Sequence, residues 1–197
     1  MTIHALILAG GRGERLGQVR KALLRFGGMT LLERTASIMR QAGSPLLVAS
    51  GPGPAPAWPQ GMCLPDAEHF HLGPMAGIAA AAAHLRPTAG ADDILVSVAV
   101  DTPFLPTDFC PRLVAALEQA DAAFAAWGDD FYPTNAAWRI PALVALLEQA
   151  KPDSPRQALR QLGAIPVTWT EPANPFANLN TPADLVALAR RAGARPE

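Results

Sequence analysis

No segment narrows the choice of fold as much as Ile94-Leu-Val-Ser-Val-Ala-Val100. It has no polar face, so a half-solvated strand would leave every second apolar side chain in water. A strand of this kind belongs at the centre of a parallel sheet, with helices covering both faces. The flanking sequence agrees. The apolar run 3–9 stops at Gly10-Gly11 and reads as a buried strand, and shorter runs at 45–50, 62–64, 122–127 and 165–169 read as further strands. A segment at 134–138 reads as one more strand, parallel or antiparallel. Helices are expected between them. Thr30-Leu-Leu-Glu33 is a capping box, followed by Leu32, Ala36 and Met39 at helical spacing. Gly73-Pro74 opens an Ala-rich helix to about residue 85. Further helices are expected over about 107–119, up to about 150, from Ser154-Pro155 to Gly163, and from Thr181-Pro182 to Gly193. The alternation predicts one α/β domain over 1–197 with a mostly parallel sheet covered on both faces, frayed at about 194–197.

Charge excludes several roles. With 197 residues, 17% of them charged, and a net charge of −1, the chain offers no polycationic surface for nucleic acid or an anionic membrane. No apolar run reaches the roughly 18 residues of a membrane span. His4 interrupts the first apolar run and glycines end it, so no leader peptide is expected. Cys63 and Cys110 form neither a disulfide framework nor a zinc set and are expected as thiols of the core. Together these features predict a cytoplasmic protein.

The positive charge is concentrated. Arg12, Arg15, Arg20, Lys21 and Arg25 place five of the 16 cationic residues within a 14-residue stretch, opposed there only by Glu14. That stretch follows the first strand directly, as Leu8-Ala-Gly-Gly-Arg-Gly-Glu-Arg-Leu-Gly17. Ligands of open α/β sheets lie beyond the carboxyl ends of the strands. Glycines there let backbone N–H groups approach a phosphate. A basic loop at that position suits a polyphosphate, whereas a solvated basic surface would be its purely structural meaning. The spacing of Gly11, Gly13 and Gly17 misses the dinucleotide fingerprint by one residue, and no Gly-Lys-Ser/Thr forms a Walker loop. Only two of the 16 cationic residues are lysines, Lys21 and Lys151. Lys21 therefore stands out as a compact ammonium in an arginine-rich background.

Asp101 closes the central strand at the same edge. It is a hard oxygen ligand suited to Mg²⁺ with substrate phosphates completing the shell. An Asp two residues before Pro103 also opens an Asx turn, but beside a phosphate loop the metal role is favoured. Asp66 follows the third strand, where it would accept from guanine N–H donors or a ribose hydroxyl. His69 and His71 lack a third ligand and read as loop residues.

These motifs resemble the family of molybdenum cofactor guanylyltransferases, over nearly the whole chain. Leu8 to Gly17 with Lys21 and Leu23-Leu24 is similar to the family's nucleotide loop, Gly73-Pro-Met-Ala-Gly77 to its helix-opening segment, and Asp101-Thr-Pro-Phe-Leu-Pro106 to its metal motif. Tyr132-Pro-Thr134 resembles a pterin-side turn, and Phe176-Ala-Asn-Leu-Asn-Thr-Pro-Ala-Asp-Leu185 the C-terminal Asn-x-Asn-Thr-Pro signature. The resemblance implies a Rossmann-like three-layer fold and transfer of GMP from GTP to the phosphate of molybdopterin, with Mg²⁺ and release of pyrophosphate. It places Leu8, Ala9 and Gly10 against the guanine, Gly11 in the nucleotide site, Arg15 and Lys21 on the triphosphate, Asp66 on the nucleoside, Asp101 on the metal, and Pro133, Arg156, Asn178 and Asn180 on the pterin side. GTP and molybdopterin would be the small-molecule partners, alongside other cofactor-biosynthesis proteins and apoenzymes. Arg20 and Val48-Ala-Ser-Gly51 depart from the family at positions bearing on base selectivity. The alternatives are a cytidylyltransferase for the same cofactor and a non-catalytic carrier module. Gly10 and the Asn-x-Asn-Thr-Pro signature favour GTP.

Overall fold

The computed structural model describes residues 1–10, 12–13, 19–26, 28–43, 45–51, 58, 61–66 and 73–193. The predicted central strand forms as β8 (Ile94–Ala99), flanked by β1 (Ile3–Leu8) and β10 (Asp130–Arg139). Outward on one side follow β6 (Leu46–Ala49) and β7 (Gly61–Leu64), and on the other β9 (Ala122–Trp127) and β11 (Ile165–Trp169), giving the order β11-β9-β10-β8-β1-β6-β7. Every neighbouring pair is parallel except those made by β10, which runs antiparallel to both β8 and β9. The strand expected at 134–138 is therefore present and antiparallel, and it is longer than its apolar stretch because Asp130–Tyr132 pairs with β9 as a hairpin arm.

The reason for the all-apolar strands is visible in their alternation. Ala5 and Ile7 of β1 join one core, Leu6 and Leu8 the other; Val96 and Val98 of β8 face the first core and Leu95 the second. The first core is closed by α1 (Leu31–Met39), α3 (Phe109–Ala116) and α6 (Pro182–Gly193), the second by α2 (Pro74–Leu85), α4 (Ile140–Gln149) and α5 (Pro155–Gln161). The result is a three-layer α/β sandwich. Ser97, the one hydroxyl in β8, is fully buried, yet it donates to the Thr134 carbonyl at 3.0 Å and accepts from Trp138 Nε1 at 3.0 Å.

Local rules set the helix starts. Thr30 Oγ1 accepts from the Glu33 N–H while the Glu33 carboxylate accepts from the Thr30 N–H, the reciprocal cap its sequence predicts. Pro74 occupies the first turn of α2 after Gly73. Two small ladders were not foreseen: β2 (Arg12–Gly13) pairs with β3 (Val19–Arg20), and β4 (Arg25–Phe26) with β5 (Met29–Thr30) through Gly28 at φ 82°.

Candidate active site

β1 and β8 lie side by side in parallel, Leu8 opposite Ala99, so the glycine loop and Asp101 leave the sheet at adjacent points of one edge. The Val100 N–H donates to the Leu8 carbonyl at 3.1 Å and extends this pairing to the strand tips. Ala99 is held from two sides. Its N–H donates to Asn135 Oδ1 at 2.9 Å, and its carbonyl accepts from Thr102 Oγ1 at 2.6 Å. Two residues later, Asp101 projects from a turn fixed by these bonds.

Lys21 reaches Asp101 from the other side. The β2–β3 ladder returns the chain to Lys21, the first residue of a single 3-10 turn over Lys21–Leu23 that the Leu24 N–H closes onto the Lys21 carbonyl. Lys21 Nζ donates to Asp101 Oδ2 at 2.9 Å and to Asn180 Oδ1. The two charged side chains are only 16% and 15% exposed, so the pair is largely withdrawn from water.

Asn180 arrives on a strap that crosses the sheet edge between β11 and α6. Trp127 Nε1 donates to the Glu171 carbonyl at 2.8 Å, Asn174 Nδ2 to the Tyr132 hydroxyl at 2.6 Å, and the Leu179 N–H to the Asp101 carbonyl at 2.9 Å. Beneath it, Phe176 is buried against Trp169, Phe109 and Tyr132. The Asp184 carboxylate then accepts from the N–H groups of Asn180 and Thr181, at 3.0 and 2.7 Å, while the Asp184 N–H donates to Thr181 Oγ1. The Asn180 N–H, then the Thr181 hydroxyl and, as a smaller contribution, the Lys21 charge hold the Asp184 carboxyl below its ordinary range.

On the β6 side of this centre the backbones of Gly10 and Gly51 nearly touch. A Cβ added at Gly10 would lie 2.9 Å from Gly51 Cα, and Gly51 adopts φ 72°. The Ala9 N–H is already bonded to the Ala49 carbonyl at 2.8 Å, and the Leu8 carbonyl accepts from Val100. Of the triplet expected to meet a base, Gly10 is the residue whose backbone groups have no partner among the described residues. Asp66 is half-buried beside this point; burial raises its carboxyl above the usual range, and a bond from the Gly51 N–H opposes the rise.

On the β10 side, Pro133 and Arg156 share a cavity of about 210 Å³ whose walls include Phe124, Phe131, Leu159 and Arg160. Asn178 is exposed near the strap's end. The four residues expected on the pterin side therefore fall into two groups: Asn178 and Asn180 on the strap, Pro133 and Arg156 at this cavity. Gly11, Arg15, His69 and His71 lie outside the described residues, as does most of the Pro/Gly-rich segment. Asn135 was not anticipated, and Asp184 stood inside the C-terminal segment without an expected role. The Thr181-x-x-Asp184 pattern was readable as a cap, whereas a lone Asn in an apolar strand carries no sequence signal.

The donor set is made of oxygens. Among the described residues, no three His, Cys, Asp or Glu side chains converge on a metal position. The Asp101 carboxylate, which shares Lys21 Nζ with the Asn180 amide oxygen, is a hard oxygen ligand of the kind that suits Mg²⁺, which keeps its waters and substrate phosphates and needs no protein cage.

A parallel-sheet edge with a basic glycine loop on one strand and a carboxylate on the next defines the site of a nucleotidyltransferase. The comparisons agree. The MobA-like NTP transferase domain model matches residues 5–166, and the chain belongs to that family. It is 40% identical over 195 residues to the molybdenum cofactor guanylyltransferase of Rhodobacter capsulatus, covering 97% of both chains. It is 37% identical to the protein of the same name in Acidiphilium cryptum, covering 94% of this chain and 93% of that one. The fold matches molybdopterin-guanine dinucleotide biosynthesis protein A from Archaeoglobus fulgidus with a TM-score of 0.72 at 20% identity, over 98% of this chain and 100% of that one. It matches the 2-C-methyl-D-erythritol 4-phosphate cytidylyltransferase of Thermus thermophilus with a TM-score of 0.71 at 23% identity, over 96% and 100%.

Proposed function

We propose that the chain transfers GMP from GTP to the terminal phosphate of molybdopterin, forming the guanine dinucleotide cofactor and releasing pyrophosphate. The observation that carries this reading is the contact of Lys21, on the turn that follows the glycine loop, with Asp101 just beyond the tip of β8, in a chain whose relatives are named for that reaction. An acceptor phosphate is already a nucleophile at neutral pH, so no Ser, Cys or His nucleophile is required. One of its oxygens attacks the α-phosphorus of GTP, and the bond from that phosphorus to the bridging oxygen of pyrophosphate breaks. The barrier is mainly alignment and charge, which fixed cations lower.

Each residue then has a task. Leu8, Ala9 and Gly10 present backbone to the guanine, with Gly11 also in the nucleotide site, and the absence of a side chain at Gly10 lets its backbone pack against that of Gly51. Asp66 accepts from the nucleoside. Lys21 and Arg15 hold the triphosphate and the charge that develops on pyrophosphate. Asp101 would hold Mg²⁺, which when bound neutralises phosphate charge. Lys21 occupies Oδ2 of Asp101, and Oδ1 has no partner among the described residues, so the carboxylate has an oxygen to offer. Asn178 and Asn180 border the acceptor phosphate, with Pro133 and Arg156 farther along the acceptor half. The reaction would run in the cytoplasm, upstream of apoenzymes that receive the cofactor.

The test is competition. Purified protein given molybdopterin with equal GTP and CTP should release pyrophosphate and form the guanine dinucleotide. A preference for CTP would make it a cytidylyltransferase, and no pyrophosphate with either nucleotide would make it a carrier. The Asp101→Ala variant should fold and lose Mg²⁺-dependent turnover; unchanged Mg²⁺ dependence would remove Asp101 from metal binding.

A further inference from the structure

We infer that Asn135 is a positioning residue of the nucleotidyl transfer, and that the bulge it belongs to sets the aim of Asp101 by taking β10 off β8 one rung before the reacting edge. The inference rests on the role proposed for Asp101 above, and its support is the way the ladder ends. Tyr132 lies opposite Ala125 of β9 and Ala136 opposite Phe124, so Pro133, Thr134 and Asn135 have no residue opposite them there. A proline in a strand with neighbours on both sides has no N–H to give the ladder, and a bulge is where it is accommodated. On its other side β10 pairs with β8 from Ala136, opposite Ser97, to Arg139, opposite Ile94. The same register continued would set Thr134 opposite Ala99. The Val100 N–H goes to Leu8 on β1, so the Ala99 N–H faces β10. The next rung would therefore join the Ala99 N–H to the Thr134 carbonyl.

Side chains take both ends of that rung. The Ala99 N–H donates to Asn135 Oδ1 at 2.9 Å, and the Thr134 carbonyl accepts from Ser97 Oγ at 3.0 Å. The Ala99 carbonyl accepts from Thr102 Oγ1 at 2.6 Å, which closes the turn that carries Asp101. Ser97, Thr102 and Asn135 are all buried. Asn135 Nδ2 is buried too, with no hydrogen-bond partner among the described residues. An unpartnered buried donor destabilises a fold, and a leucine of nearly the same shape would not carry that cost. The oxygen is therefore what this position uses: it stands in for the Thr134 carbonyl and holds Ala99. Asp101 follows Ala99 by two residues, and Lys21 Nζ meets its Oδ2 at 2.9 Å. The bulge thus exchanges one backbone bond of the sheet for a fixed exit of β8 toward Lys21.

The test combines hydrogen exchange of the Ala99 amide, followed by NMR in the free protein, with kcat and GTP KM from pyrophosphate release. Asn135→Leu keeps the volume and removes the acceptor. Because Ser97 holds the Thr134 carbonyl, the Ala99 N–H gains no replacement, and its exchange should be about tenfold faster. Its kcat should fall about 10–100-fold, the scale of a small misplacement of a reacting group, with GTP KM within about threefold of wild type. Asn135→Asp keeps an oxygen acceptor and should restore slow exchange at Ala99 and most of the turnover. A role in packing alone would give the reverse order, with the leucine variant active and the aspartate variant impaired. Thr102→Val removes the other bond at Ala99, outside the bulge, and should lower kcat in the same way. Asn135→Leu with turnover within about twofold of wild type, Asn135→Asp no better than Asn135→Leu in exchange and turnover, or full turnover in Thr102→Val each overturns the inference. A wild type that forms no guanine dinucleotide, with exchange at Ala99 responding as stated, overturns the proposed reaction and leaves the replaced rung standing.

Discussion

Removing the Lys21 ammonium should separate folding from catalysis. Lys21 Nζ makes two hydrogen bonds, to Asp101 and Asn180, with both charged side chains about 85% withdrawn from solvent. Exposed ion pairs contribute roughly 0–1 kcal/mol, and removing one partner of a fully buried pair costs roughly 3–5 kcal/mol. The remaining solvent access at Asp101 places Lys21→Ala between these, at about 2 kcal/mol. For a domain of this length that lowers the thermal midpoint by roughly 4–8 °C. Most of the loss is the carboxylate left without its cation. The double variant Lys21→Ala/Asp101→Asn should therefore be more stable than Lys21→Ala alone. Turnover should respond differently. Loss of one fixed donor to developing charge lowers kcat about 10²–10³-fold. Thermal melts of wild type, both single variants and the double variant, with pyrophosphate release measured on each, provide the comparison. If Lys21→Ala retains turnover within about threefold, or if the double variant is no more stable than the single, the reasoning from this pair is wrong.

Three other outcomes follow from the geometry. Gly10→Ala puts a Cβ against the Gly51 backbone at 2.9 Å, so it should destabilise by roughly 1–3 kcal/mol and raise the KM for nucleotide, read from urea melts and initial rates. Asn135→Ala removes the buried amide oxygen that holds the part-buried Ala99 N–H and should cost roughly 1–3 kcal/mol in urea melts while lowering kcat, because the turn that aims Asp101 loosens. The Asp184 carboxyl is held below its ordinary value of 3.8, so its contribution to stability is complete above that value and is lost as pH falls through the lower folded value. The gap in urea midpoint between wild type and Asp184→Asn should therefore narrow as pH drops from about 5 to about 3.

Much of the architecture was legible because its causes are local. The all-apolar run of β8 demanded cover on both faces, and Thr30 with Glu33, like Gly73 with Pro74, announced helix starts. The edge rule for open sheets was enough to put Lys21 and Asp101 on the same side, though they are 80 residues apart. Contacts that depend on tertiary closure were less readable. Asn180 reaches Lys21 across 159 residues through a strap fastened by Glu171, Asn174 and Leu179, and only the family resemblance pointed to it. Asn135 was invisible because a side chain substituting for a strand ladder bond leaves no periodic trace. The partition of the acceptor residues between strap and cavity depends on β10 extending beyond β8, which its apolar stretch alone understated.

The most direct test is a crystal structure with Mg²⁺ and a GTP analogue whose α,β bridge is a methylene. The account predicts guanine beside Gly10 and Asp66, Lys21 Nζ moved onto the triphosphate, and the metal between the phosphates and Asp101. A triphosphate bound elsewhere, with Lys21 still bonded to Asp101, would contradict it.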